Sequence, residues 1–124
     1  MDIAILIVKR PQNLKILVLQ RLFEKYPNQI AGVIMEPERV TCSNCQCEIS
    51  VDNYLKKAIE LTQSEGSVFI LDEMVTGFKI DLPGAISKYN LEPDLATWGK
   101  GIANGFSFCA LTGKEEIMKL GGIK

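Results

Sequence analysis

The chain of 124 residues contains no histidine. That removes the commonest general base and a common metal ligand together, so any acid–base chemistry must use Lys, Asp, Glu, Cys or Tyr. Long apolar runs are also missing. The longest near the start, "IAILIV" at residues 3–8, is far short of the ~20 residues that a helical membrane span needs. It follows an acid and precedes Lys9 and Arg10, the reverse of a secretory leader, so the expected compartment is the cytoplasm. No basic block interrupts a balance of 14 Lys+Arg against 15 Asp+Glu, which argues against a nucleic-acid partner. There is no internal repeat and no low-complexity stretch. With 47% hydrophobic and 23% charged residues, the composition is that of one modest globular domain.

The pattern that is present is α/β. "IAILIV" reads as a short buried strand. In "NLKILVLQRLFEKYP" a helical stripe runs through Leu14, Leu17, Val18 and Leu22, and Pro27 stops it. "IAGVIMEP" reads as a strand closed by Glu36-Pro37. Ser50 is a candidate N-cap for a helix whose face is Val51, Leu55, Ala58, Ile59 and Thr62, and Gly66 closes it. "SVFILD" is the next strand, and a strand–helix–strand unit of this length makes the two strands parallel. "LPGAISKYN" predicts a short helix or turn. "PDLATW" predicts a strand, "GKGIANG" a glycine-rich bend, "FSFCALTG" a further strand, and "KEEIMKL" a helix ending at Gly121-Gly122.

"FILDEMVTGFKI" holds the first chemical signal, because its apolar run ends in two acids, Asp72 and Glu73. A carboxylate near a core needs a cation or hydrogen-bond donors. Parallel strands place Glu36 and Asp72 at one sheet edge, where open α/β sheets take their ligands. Lys100 sits between Gly99 and Gly101 directly after another predicted strand, and so falls at the same edge. Two readings stand for each residue. Lys100 is either a solvated loop lysine or an amine that attacks a carbonyl. Asp72 is either a turn cap or an anchor for a positive ligand. Taken together, a carbonyl-capturing lysine and a carboxylate are the two protein groups that pyridoxal phosphate requires.

"AGVIMEP", "LDEMVTGFK" and "PDLATWGKGIANG" stand in this order, with Asp72 and Lys100 28 residues apart. Over residues 21–124 they resemble the class III pyridoxal-phosphate aminotransferases, and within them the branch around glutamate-1-semialdehyde aminomutase. The resemblance implies part of the large domain of a fold-type I transferase, a mostly parallel sheet with flanking helices. It implies amino-group transfer, as a transaminase or an aminomutase, on small amino and keto substrates. Lys100 would be the Schiff-base lysine and Asp72 the partner of the pyridine nitrogen. Met74 would stand where a branched aliphatic residue packs on the cofactor ring. Val75 stands where other members place Gln or Met, so no hydrogen bond to the ring hydroxyl is expected. Glu36 matches a Glu-Pro turn at the site edge, with a structural role equally open.

The resemblance further implies a homodimeric parent several times longer. Its phosphate-holding loop and small C-terminal domain are not matched here, and residues 1–20 match poorly. A competing reading starts from "TCSNCQCE". Cys42, Cys45 and Cys47 have one metal-like CxxC spacing, but structural zinc wants four ligands. That reading makes the chain a non-catalytic fragment or a small Cys-loop metal-binding module; otherwise the three are free thiols in a surface loop. Cys109, in a predicted strand, is expected to fill core.

Overall fold

A computed structural model describes residues 4–8, 16–37 and 51–121. Its elements are β1 (Ala4–Val8), α1 (Ile16–Lys25), β2 (Ile30–Met35), α2 (Val51–Ser64), β3 (Val68–Asp72), α3 (Ala85–Lys88), β4 (Leu95–Trp98), β5 (Ala110–Gly113) and α4 (Glu115–Met118). Single 3-10 turns cover Lys100–Ile102 and Lys119–Gly121. The five strands form one sheet in the order β1-β2-β3-β4-β5. The first four are mutually parallel and β5 runs antiparallel to β4. Among the described residues no helix is long and apolar enough to cross a membrane.

Alternation along the strands decides what faces the helices. In β3, Phe69 and Leu71 are buried while Val68, Ile70 and Asp72 are half-buried; in β4, Ala96 and Trp98 are buried while Leu95 and Thr97 are half-buried. A two-residue period puts each set on its own face. The buried set joins Val33 and Met35 of β2, Leu19 and Phe23 of α1, and Leu55, Ala58 and Ile59 of α2 in one core. Each fully covered large side chain there contributes about 1.5–3 kcal/mol of transfer free energy.

The α2 face is the one its spacing predicts, with Leu55, Ala58, Ile59 and Thr62 all buried. Its end is also as expected. Gly66 takes φ 71, which glycine adopts without penalty. The Gly66 and Ser67 amides donate to the Gln63 and Thr62 carbonyls, closing the last turn. Ser50 lies outside the described residues.

Four expectations are corrected. The α1 stripe is Leu19 and Phe23 with Ile16 beside them, whereas Leu17 is 57% exposed and Val18 39%. Apolar residues fill both faces of this segment, so two stripes fit a helical period, and the one carrying the aromatic meets the sheet. β1 is an edge strand rather than a buried one, and its Ile5 is 61% exposed. "FSFCALTG" is strand only from Ala110 onward. Phe106, Phe108 and Cys109 precede it as exposed chain, so Cys109 does not fill core. "KEEIMKL" forms a single α turn followed by a 3-10 turn.

Candidate functional site

In the parallel register Met35 pairs with Leu71, so Glu36 and Asp72 follow at one end of β2 and β3. Asp72 in turn pairs with Thr97, and Lys100 lies three residues beyond that pair. Glu36, Asp72 and Lys100 therefore share the carboxyl edge of three adjacent strands, as strand order and direction require.

Asp72 is half-buried, and its hydrogen bonds fix its orientation. Oδ1 accepts from the Met74 amide at 3.1 Å and from Thr97 Oγ1 at 3.2 Å. Thr97 sits opposite because cross-strand neighbours share a face. Both bonds end on Oδ1, and among the described residues no donor meets Oδ2. Lys100 is exposed and makes no ion pair or hydrogen bond through its amine among the described residues. Its backbone is the unusual part. At φ 47 it lies in the left-handed region, which costs a residue with a side chain about 1–2 kcal/mol.

Close contacts frame this lysine. A Cβ built on Gly99 would overlap the terminal methyl of Met74 and lie 2.6 Å from its sulfur. A Cβ on Gly101 would lie 3.0 Å from the Gly77 carbonyl oxygen. Met74 and Val75 are both half-buried at the end of β3, and Met74 reaches the lysine turn directly. Glu36 is half-buried at the rim.

Glu73 is the acid that sequence reasoning underrated. It is fully buried, accepting at Oε1 from the Ile86 amide at 2.8 Å and at Oε2 from the Thr76 hydroxyl. The signal was available in the alternation. Phe69, Leu71 and Glu73 fall on the core face, and Val68, Ile70 and Asp72 on the other. Glu73 thus has both carboxylate oxygens met by protein donors, while among the described residues Asp72 has donors on Oδ1 alone.

Asp94 was also missed. It is 6% exposed, takes the Phe69 amide on Oδ2 at 2.8 Å, and takes Gln63 Nε2 (3.0 Å) and Lys114 Nζ (2.6 Å) on Oδ1. It ties the start of β4 to β3, α2 and the chain after β5. The hydrogen bond to Asp94 raises the pKa of Lys114, partly opposed by desolvation.

An open hollow of about 330 Å³ lies against α2, lined by Lys56, Ile59, Glu60, Gln63, Asn90 and Glu92. It is at the amino edge of β4, away from Asp72 and Lys100. Cys42, Cys45 and Cys47 lie outside the described residues. Among the described residues no group of three or more His, Cys, Asp or Glu is placed to hold a metal.

The fold and sequence match solved transaminases. An omega-transaminase from Sphaerobacter thermophilus is 30% identical with a TM-score of 0.67, over 81% of this chain and 22% of that one. An S-selective transaminase from Arthrobacter sp. is 28% identical with a TM-score of 0.70, over 85% and 23%. A beta-phenylalanine aminotransferase from Variovorax paradoxus is 26% identical with a TM-score of 0.69, over 84% and 23%. The chain thus spans under a quarter of the length of these proteins. Residues 6–122, nearly all of it, match the family model described as Aminotransferase class-III, and the chain belongs to that family.

Proposed function

We propose that this chain is part of the large domain of a longer enzyme that transfers amino groups with pyridoxal phosphate. The observation that carries the reading is the shared carboxyl edge, where, among the described residues, Asp72 is held through Oδ1 alone and the Lys100 amine is uncommitted. These residues fit the cofactor's needs. Asp72 Oδ2 can accept a proton-bearing ring nitrogen, and the Lys100 amine can hold a carbonyl carbon.

When bound, pyridoxal phosphate supplies that carbonyl and a cationic ring that takes up electrons from a substrate carbon. The protein does the rest. Thr97 and the Met74 amide orient Asp72, so that Oδ2 keeps the ring nitrogen protonated. Lys100 Nζ would hold the group's carbonyl carbon and, as a free amine, would move the proton to and from the substrate Cα. This one amine covers both tasks in a chain without histidine. Met74 and Val75 supply apolar contact to the ring, and Glu36 lies at the rim on the substrate side.

Within the family, "LDEMVTGFK" with "PDLATWGKGIANG" supports the branch around glutamate-1-semialdehyde aminomutase. A plain transaminase is the second reading, favoured by the names of the three solved neighbours. Small amino and keto compounds are the substrates in either case. A homodimeric parent and a cytoplasmic location complete the proposal.

The test is product analysis in the full chain. With pyridoxal phosphate and an amine donor, the protein should yield pyridoxamine phosphate and the keto product. Lys100→Ala should lower the rate by at least about a hundredfold, the lower range for a lost acid–base group. Equal rates with and without Lys100 contradict the proposal.

A further inference from the structure

A lysine at φ 47 raises the question of what holds it there, because such a backbone persists only where its surroundings over-determine it. The neighbours of Lys100 rest on a second turn, residues 73–78. The Met74 side chain lies against Gly99, and the Gly77 carbonyl and Phe78 Cβ lie against Gly101. One residue back, the Trp98 ring leaves no room for a side chain on Gly77 and meets Phe78 edge-on at 5.7 Å. The Glu73 amide donates to the Thr97 carbonyl at 3.0 Å, joining the turn to β4. The lysine turn is thus stacked on the turn that follows Asp72.

The lower turn is held from inside by Glu73. Its carboxylate takes the Thr76 hydroxyl and the Ile86 amide, and its carbonyl takes the Gly77 amide at 2.9 Å. A Cβ on Gly84 would lie 2.7 Å from the same carboxylate, so the chain closes tightly around it. We infer that Glu73 is a positioning residue, fixing through the 73–78 turn the left-handed backbone of Lys100 and its placement beside Asp72. The carboxylate of Glu73 bonds Thr76 and Ile86, not the lysine amine, and it acts through Met74, Gly77 and Phe78. This deepens the functional reading above and rests on it for the role of Lys100.

Amide hydrogen exchange in the full chain tests the inference without cofactor. The reporters are the amides of Ile102, Ala103 and Asn104, which donate to the carbonyls of Gly99, Lys100 and Gly101. Glu73→Ala should speed their exchange by about tenfold, the equivalent of one lost buried hydrogen bond. Residues 30–35 and 68–71 should be unaffected. Glu73→Gln, which still offers an oxygen to the Ile86 amide, should restore slow exchange. Borohydride trapping of pyridoxal phosphate at Lys100 should slow in Glu73→Ala and recover in Glu73→Gln. If the Ala variant does not fold, Thr76→Val decides, with faster exchange expected in the 73–78 turn and at 102–104 but not at 30–35 or 68–71.

Unchanged exchange at 102–104, or an equal rise in every segment, overturns the inference. Wild-type protein that traps the cofactor elsewhere than Lys100 overturns the functional reading instead, and the exchange result still judges Glu73.

Discussion

Removing the Asp94 carboxylate tests the ties that hold β4 against β3, the two strands whose carboxyl ends lead to Lys100 and Asp72. Asp94→Ala leaves the Phe69 amide without its acceptor inside the sheet, and an unmet buried donor costs about 1–3 kcal/mol. The bond from Lys114 adds about 1 kcal/mol at most, because that side chain is 42% exposed and solvent screens the pair. The expected total, with Gln63 contributing a little, is about 1–4 kcal/mol. Asp94→Asn keeps a carbonyl for the Phe69 amide and should cost about half as much. Urea unfolding followed by fluorescence of Trp98, the chain's one tryptophan, gives both values from the midpoint at constant slope. An Ala variant within ~0.5 kcal/mol of wild type, the range of an ordinary surface change, would refute the reasoning. So would equal losses for Ala and Asn, which would assign the effect to charge alone.

Gly77→Ala should destabilise by about 1–3 kcal/mol, because its Cβ would lie 2.7 Å from a backbone carbonyl and 2.8 Å from the Trp98 ring. Gly99→Ala meets only the flexible end of Met74 and should cost under ~1 kcal/mol, read by the same urea midpoints. Alkaline unfolding should reflect two raised pKa values. Lys114 is raised by Asp94, so the stability from this pair is full below the ordinary lysine value of 10.5 and is lost as pH rises through the higher folded value. Tyr54, pushed up to about 12 by burial, likewise loses stability between 10 and 12 as the unfolded chain ionises first. Its hydroxyl is buried with no hydrogen-bond partner among the described residues, so Tyr54→Phe should unfold at higher pH than wild type without loss at neutral pH.

The carboxyl-edge site was readable because it needs only strand order and direction. The apolar runs before Glu36, Asp72 and Lys100, with a helix-length crossover, place the three residues together. Residues whose partners are distant in sequence were harder to see. Nothing near Asp94 announces Gln63, Phe69 or Lys114, and only the folded sheet brings them together. Glu73 lies beyond the last residue of β3, and only the strand's alternation, continued one residue past Asp72, points it inward. The α1 face failed for another reason. With Leu17, Val18, Leu19, Leu22 and Phe23 all apolar, periodicity alone does not choose a side, and the sheet does.

On the proposed function, the carboxyl edge of β3 and β4 presents both Lys100 and Asp72 to pyridoxal phosphate. Borohydride reduction of the protein mixed with the cofactor, followed by peptide mapping, tests this most directly. One pyridoxyl group is expected on Lys100, lost in Lys100→Ala and strongly reduced in Asp72→Ala. Label spread over exposed lysines such as Lys56, Lys79 and Lys119, with no preference for Lys100 and no response to Asp72, would contradict it.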